Sequence, residues 1–174
     1  MPRRNILALL EGGDRRTIGR SNQVAALVSK TPGLFPDLIA GLWSGDPLVR
    51  MRAADATEKV TRTNRRLLQP FKKELLGLMV EATQQELRWH LAAMVPRLAL
   101  SAVQKQQAIS ALVRYLEDRS SIVRTFALQA LADLAQDDPS LRPRVLEIVH
   151  QAVRTGTPAM KARSRKLLLH LKPD

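Results

Sequence analysis

Between residues 118 and 134 the chain reads DRSSIVRTFALQALADL, with apolar side chains at Val123, Phe126, Ala127, Ala130, Leu131 and Leu134. Steps of three and four place all six on one stripe of an α-helix, which predicts a helix with one buried face. Asp118, Ser120 and Ser121 stand just ahead as cap candidates, able to accept from the first free backbone N–H groups. The same period and the same punctuation predict ten helices along the chain. The first covers residues 2–11 and stops at Gly12-Gly13; the second covers about 17–30 and ends at Thr31-Pro32-Gly33; the third covers 34–43, before Gly45. Asp46-Pro47 opens the fourth, with Asp as N-cap and Pro at the first helical position, and Val49, Ala53, Ala56 and Val60 share one face.

Residues 61–69 read as a polar, basic connection, and Pro70 as the start of a fifth helix through Leu75, Leu76, Leu78, Met79 and Val80. The sixth begins near Gln84 and carries Leu87, Leu91, Met94 and Leu98; Pro96 should kink or fray its last turn. Ser101 caps the seventh, which reaches about Glu117, and the eighth is the stretch 118–134. Asp138-Pro139 restarts the chain for a ninth helix with Val145, Ile148, Val149 and Val153 inward, and Gly156-Thr157-Pro158 separates it from a tenth over 159–171. Nowhere do apolar and polar residues alternate in a β-branched run, so the fold class is all-α.

Aligning the even-numbered helices exposes a repeat. Val49-Arg50, Leu87-Arg88, Val123-Arg124 and Met160-Lys161 hold the same place in each, with the cations 38, 36 and 37 residues apart. Four positions on stand Ala53, Leu91, Ala127 and Ser164; seven on stand Ala56, Met94, Ala130 and Leu167. Two helices per unit at a fixed period is the pattern of a helical solenoid, in which stacking buries a face that one hairpin cannot bury alone. The period predicts about five antiparallel helix pairs in a single domain spanning 1–174. Ile18 marks a fifth register with Gly19 in place of the cation, so residues 1–33 read as a degenerate N-terminal cap repeat.

GDPLVRMRAADA and SSIVRTFALQALADL resemble second helices of the HEAT-like repeat family. Armadillo repeats would need a third helix per unit, and tetratricopeptide repeats an aromatic pattern; neither is present. The likeness covers nearly the whole chain and implies an α-α superhelix whose second helices line a concave surface. It implies a non-enzymatic scaffold mediating protein–protein interaction, with another protein as partner.

Composition adjusts this picture in three ways. Aromatic residues are only 3% of the 174, so the core must be filled by Leu, Ala, Val and Met in closely approaching helices. Lys and Arg number 28 against 16 Asp and Glu, a formal +12, and such a field favours anionic partners. There is no cysteine, which removes disulfides, thiolate nucleophiles and Cys-type zinc sites. The N-terminal apolar stretch, residues 6–10, is too short for an export signal, and no run is long enough to span a bilayer; the expectation is a cytoplasmic protein without membrane contact.

Candidate chemistry is confined to cations. Arg50, Arg88, Arg124 and Lys161 form a ladder, one per repeat, for which internal pairing near the turns is the favoured reading; Asp46 stands four residues before Arg50. Two basic runs contain no acid: Lys59, Arg62, Arg65, Arg66, Lys72 and Lys73 within residues 59–73, then Arg154, Lys161, Arg163, Arg165, Lys166 and Lys172 within residues 149–172. Cations at helix C-termini are ordinary, but uncancelled clusters can also neutralise phosphates, so nucleic-acid binding is the alternative function. Trp43, Trp89, Arg88 and Asp55 suggest a second likeness, to DNA glycosylases built from HEAT-like repeats, with no residue-by-residue match. Packing for the tryptophans and a surface or satisfied place for His90 is the favoured reading. His90, His150 and His170 lack the neighbours a helical metal site requires, and no phosphate loop, nucleophile elbow or paired acidic motif occurs. The expectation is therefore no catalytic residue, metal, cofactor or small-molecule substrate.

Overall fold

The structure is a computed structural model that describes residues 5–171. The chain is all-α: helices dominate, and no strand occurs among the described residues. It divides into two compact units, residues 1–72 and 73–174.

The first unit is arranged about one long helix. Three α-helices, α1 (Ser21–Lys30), α2 (Phe35–Ala40) and α3 (Pro47–Thr63), are joined by short 3-10 turns. The start of α3 follows from its sequence: the Asp46 carboxylate accepts from Leu48 N at 2.8 Å, and Pro47 supplies a preset φ at the first turn. Both α1 and α2 pack on α3, as does the 3-10 turn Ile6–Leu10. Ile6, Leu10, Val24, Val28, Phe35, Leu38, Leu42, Ala53, Ala56 and Val60 are buried together as its core. Gly41 permits the tightest of these contacts, since a Cβ there would lie 2.7 Å from the Ala53 Cβ.

A buried cation ties the N-terminal loop to α3. Arg52 is 2% exposed, and its guanidinium donates to Leu10 O at 2.8 Å, Gly12 O at 2.6 Å, Asp14 O at 3.1 Å and Thr17 O at 3.3 Å. Desolvation of a buried charge is offset here by main-chain dipoles. The loop must curl tightly around it, and Gly12, Gly13 and Gly19 all take positive φ; a Cβ at Gly19 would come within 2.6 Å of the Arg52 Cζ.

The second unit contains α4 (Lys72–Glu81), whose first residue closes the first unit, then α5 (Gln85–Met94), α6 (Ala102–Tyr115), α7 (Ser121–Asp137), α8 (Arg142–Thr155) and α9 (Pro158–Leu171). α5 packs on α7 and α7 on α9, while α6 lies against α7 and α8 against both α7 and α9. The buried phenol of Tyr115 donates to Met79 O at 2.8 Å and links α6 to α4. Leu87, Val123 and Met160 are all buried, as are Leu91, Ala127 and Ser164 four positions on and Met94, Ala130 and Leu167 seven on. In the first unit Val49, Ala53 and Ala56 are buried too. The sequence register is thus a burial register.

Several boundaries differ from the sequence reading, each for a local reason. The predicted first helix is a 3-10 turn over Ile6–Leu10, and its expected beginning at residues 2–4 lies outside the described residues. The second helix begins at Ser21 and not near 17, because Gly19 adopts a left-handed conformation. The third ends as α-helix at Ala40 and tightens to a 3-10 turn through Trp43. Pro70 does not start a helix; it sits within a 3-10 segment, Arg65–Phe71, and α4 begins two residues later. α5 stops at Met94, with Pro96 inside the 3-10 turn Val95–Arg97, so Pro96 does fray the predicted last turn. Pro139 likewise opens a 3-10 turn, Pro139–Leu141, before α8. Phe126 leaves the predicted apolar stripe and is 37% exposed, because Leu128, Ala132 and Ala135 are buried and the hidden arc of α7 is rotated away from it.

Candidate partner-binding surface

Corresponding register positions on α5, α7 and α9 are half-buried or exposed. Sequence spacing puts His90, Phe126 and Arg163 at one register, Trp89, Thr125 and Ala162 at the one before, and Ala93, Gln129 and Lys166 three beyond. Ile122 and Phe126 are exposed on α7, and Leu169 is 72% exposed on α9. Trp89 and His90 are half-buried on α5, with ring centroids 5.4 Å apart. Trp89 Nε1 donates to His90 Nε2 at 3.3 Å, and His90 Nδ1 lies 2.6 Å from Glu86 O. Trp43, in the first unit, is exposed.

One polar cluster crosses the same row. Arg163 Nη1 donates to Gln129 Oε1 at 2.9 Å, and Gln129 Nε2 donates to Asp133 Oδ1 at 2.8 Å. Burial pushes the Asp133 carboxyl above the usual carboxylate range, against the hydrogen bond from Gln129 and the charges of Arg163 and Arg97. Asp133 was not among the residues singled out in sequence. Its position six beyond Ala127, between buried Leu131 and Leu134, was the only available signal.

The ladder cations differ in their surroundings. Arg50 Nη1 donates to Ser44 O at 2.7 Å, while Asp46 caps α3. Arg88 Nε donates to Ala82 O at 2.7 Å, its Nη1 pairs with Asp118, and its guanidinium carbon lies 5.4 Å from the Tyr115 ring centroid. Both thus reach a carbonyl six residues back, at the end of the preceding helix, where a cation is favoured. Asp118 is itself shared, since its Oδ1 accepts from Ser120 N at 2.8 Å at the entrance to α7. Arg124 and Lys161 hold the same register and are half-buried.

The two basic runs are distributed between units. In the first, Arg62 is paired to Glu58 at 2.6 Å and Lys59 to Asp55 at 2.5 Å, so part of that run is cancelled on its own helix. Arg65 and Arg66 are exposed on the 3-10 segment, and Lys72 ends the unit; Lys73 opens the second unit, also exposed. In the second unit Arg154 donates to Gln151 Oε1 at 2.7 Å. Arg165 and Lys166 are exposed on α9; neither they nor Lys161 join an ion pair among the described residues. Lys172 lies outside the described residues. Asp55, Trp89 and Arg88, the set compared with the glycosylases, do not form one site within either unit: Asp55 accepts from Ser21 and Lys59 in the first, while Arg88 and Trp89 belong to the second.

No group of three or more His, Cys, Asp or Glu side chains able to hold a metal ion occurs among the described residues. Among the same residues no helix is long and apolar enough to cross a membrane. No protein-family model matches the chain, and no curated protein does so either.

Proposed function

We propose that the chain is a HEAT-like helical-repeat scaffold without enzymatic activity that binds another protein through the solvent face of α5, α7 and α9. The observation that carries this reading is the placement of Trp89, Ile122 and Phe126 on the adjacent packed helices α5 and α7, in a chain whose aromatic residues are otherwise scarce. Exposed aromatic and branched apolar groups at the centre of a face, with Arg163 and Lys166 beside them, have the composition of an interface core with a charged rim. The recurring register supports a solenoid of about five hairpins, in which the second helices form the inner surface. A scaffold needs no chemistry of its own, in keeping with a site built from packing and charge.

The test is affinity capture with nuclease-treated lysate, using the wild-type chain beside the Ile122→Asp/Phe126→Asp double variant. A partner retained by wild type and lost by a variant of unchanged helicity is the expected result. Loss of every partner on nuclease treatment, or equal capture by both baits, overturns the reading.

The α9 cations favour a second reading, nucleic-acid binding, because Lys161, Arg165 and Lys166 are not neutralised by ion pairs among the described residues. Phosphate binding of this kind weakens steeply with salt. A gel shift that ignores salt, or that survives charge reversal at Arg163, Arg165 and Lys166, removes this alternative.

A further inference from the structure

α9 carries cations and no acid. No Asp or Glu occurs from residue 148 to residue 171, a span that contains Arg154, Lys161, Arg163, Arg165 and Lys166. The four cations of α9 join no ion pair among the described residues. Arg163 gives Nη1 to Gln129 Oε1 at 2.9 Å and remains exposed. Charges of one sign gathered in this way hold an uncancelled positive field at the surface.

The helix sets these charges out in two rows. Met160, Ser164, Leu167 and Leu171 are buried and form the arc of α9 that packs on α7 and α8. Each residue turns the helix by about 100°, which puts Ala162 and Leu169 on the opposite side. Ala162 is exposed, and Leu169 is 72% exposed. Lys161 and Arg165, four apart, stand on one shoulder of that outward line; Arg163 and Lys166, three apart, stand on the other. Lys161 is half-buried, and the other three cations are exposed. A small or apolar ridge is thus bordered by cations on both sides.

Two rows of cations suit a ligand with two rows of phosphate. A helix with its side chains is about 10–12 Å across. The major groove of B-form DNA is about 12 Å wide and has a phosphate strand along each edge. A single strand offers one row, and its binders stack bases on aromatic rings, whereas no Phe, Tyr or Trp follows Phe126. The major groove of A-form RNA is too narrow and deep to be entered in this way.

We propose that α9 seats in the major groove of duplex DNA, with Lys161 and Arg165 on the phosphates of one strand and Arg163 and Lys166 on those of the other. Ala162 and Leu169 then face the base edges. The inference rests on the phosphate-binding reading of these cations and adds the class of polymer and the seat of the helix. Phosphate contacts fix orientation without reading bases, so binding is largely independent of sequence.

Fluorescence anisotropy of the full chain with a short mixed-sequence DNA duplex, the same DNA as a single strand and the same sequence as an RNA duplex, each over a salt series, tests the proposal. The DNA duplex should bind tightest, with a slope of log affinity against log salt of about −3.6 for four phosphates. Lys161→Gln/Arg165→Gln and Arg163→Gln/Lys166→Gln should each reduce that slope by about half at unchanged helicity, since each removes one row. Arg144→Gln, on α8, should leave it unchanged. Equal or tighter binding of the single strand or the RNA duplex, or a slope that depends on one row alone, overturns the groove seat and leaves phosphate binding standing. A slope near zero with every probe, or no binding at all, removes both.

Discussion

Arg52 was invisible in the sequence, where it reads as one more basic residue in a helix that already holds Arg50 and Lys59. Only the fold shows that four carbonyls of the N-terminal loop converge on it. Substituting Arg52→Met keeps the stem and removes the donors, leaving those carbonyls with no partner from this side chain. The expected loss is about 3 kcal/mol or more. Thermal melts should fall by more than about 10 °C, and amide exchange should accelerate first around residues 12–19. Asp133 carries a second prediction. Burial raises its carboxyl from the ordinary value of 3.8, so the folded state holds the proton more tightly than the unfolded one. The ionised group is therefore a cost to stability above its raised folded value, and the cost disappears as pH falls below the ordinary value. Asp133→Asn should accordingly melt higher than wild type at pH 7, with the gap closing near pH 3; an equal gap at both pH values would show that burial of the charge is not the cause.

Element by element, the α-helices were legible wherever an apolar stripe and a cap agreed. Ser101 caps α6 in a reciprocal box with Gln104, Ser120 caps α7 and Asp46 caps α3, each as read from residue type and position. Legibility failed where proline could be accommodated in two ways. Pro47 and Pro158 start α-helices, whereas Pro70, Pro96 and Pro139 fall in 3-10 turns; the ring fixes φ for either form, and the choice is made by packing that lies beyond the local window. The stripe of α7 shows the same limit. A helix flanked by neighbours on two sides buries more than one stripe, and periodicity alone could not tell that Phe126 stood at its open edge while Leu128 and Ala132 did not. Ala130 is the sharper case, fully enclosed at a register shared with Met94 and Leu167. Ala130→Asp places a charge at a helix–helix contact with no partner, and should cost several kcal/mol and abolish the cooperative melt. An unchanged transition would mean that this contact is not what holds α7 in place.

For the molecule as a whole, the shared register of buried positions was readable because residue type reports burial directly. The candidate surface was less so, because it depends on which exposed side chains end up on the same row, and on which cations meet a partner. Arg62 and Arg165 look alike in sequence, yet one is bound to a carboxylate four residues away on its own helix and the other is not. Asp118 shows how such pairings shape behaviour beyond a single contact. One carboxylate serves both the entrance of α7 and the guanidinium of Arg88 on α5. Loosening the first turn of α7 thus releases its grip on the preceding hairpin in the same event. Neighbouring hairpins are fastened by a common rivet, so they should melt as one block, and a probe on α5 and a probe on α7 should report the same transition.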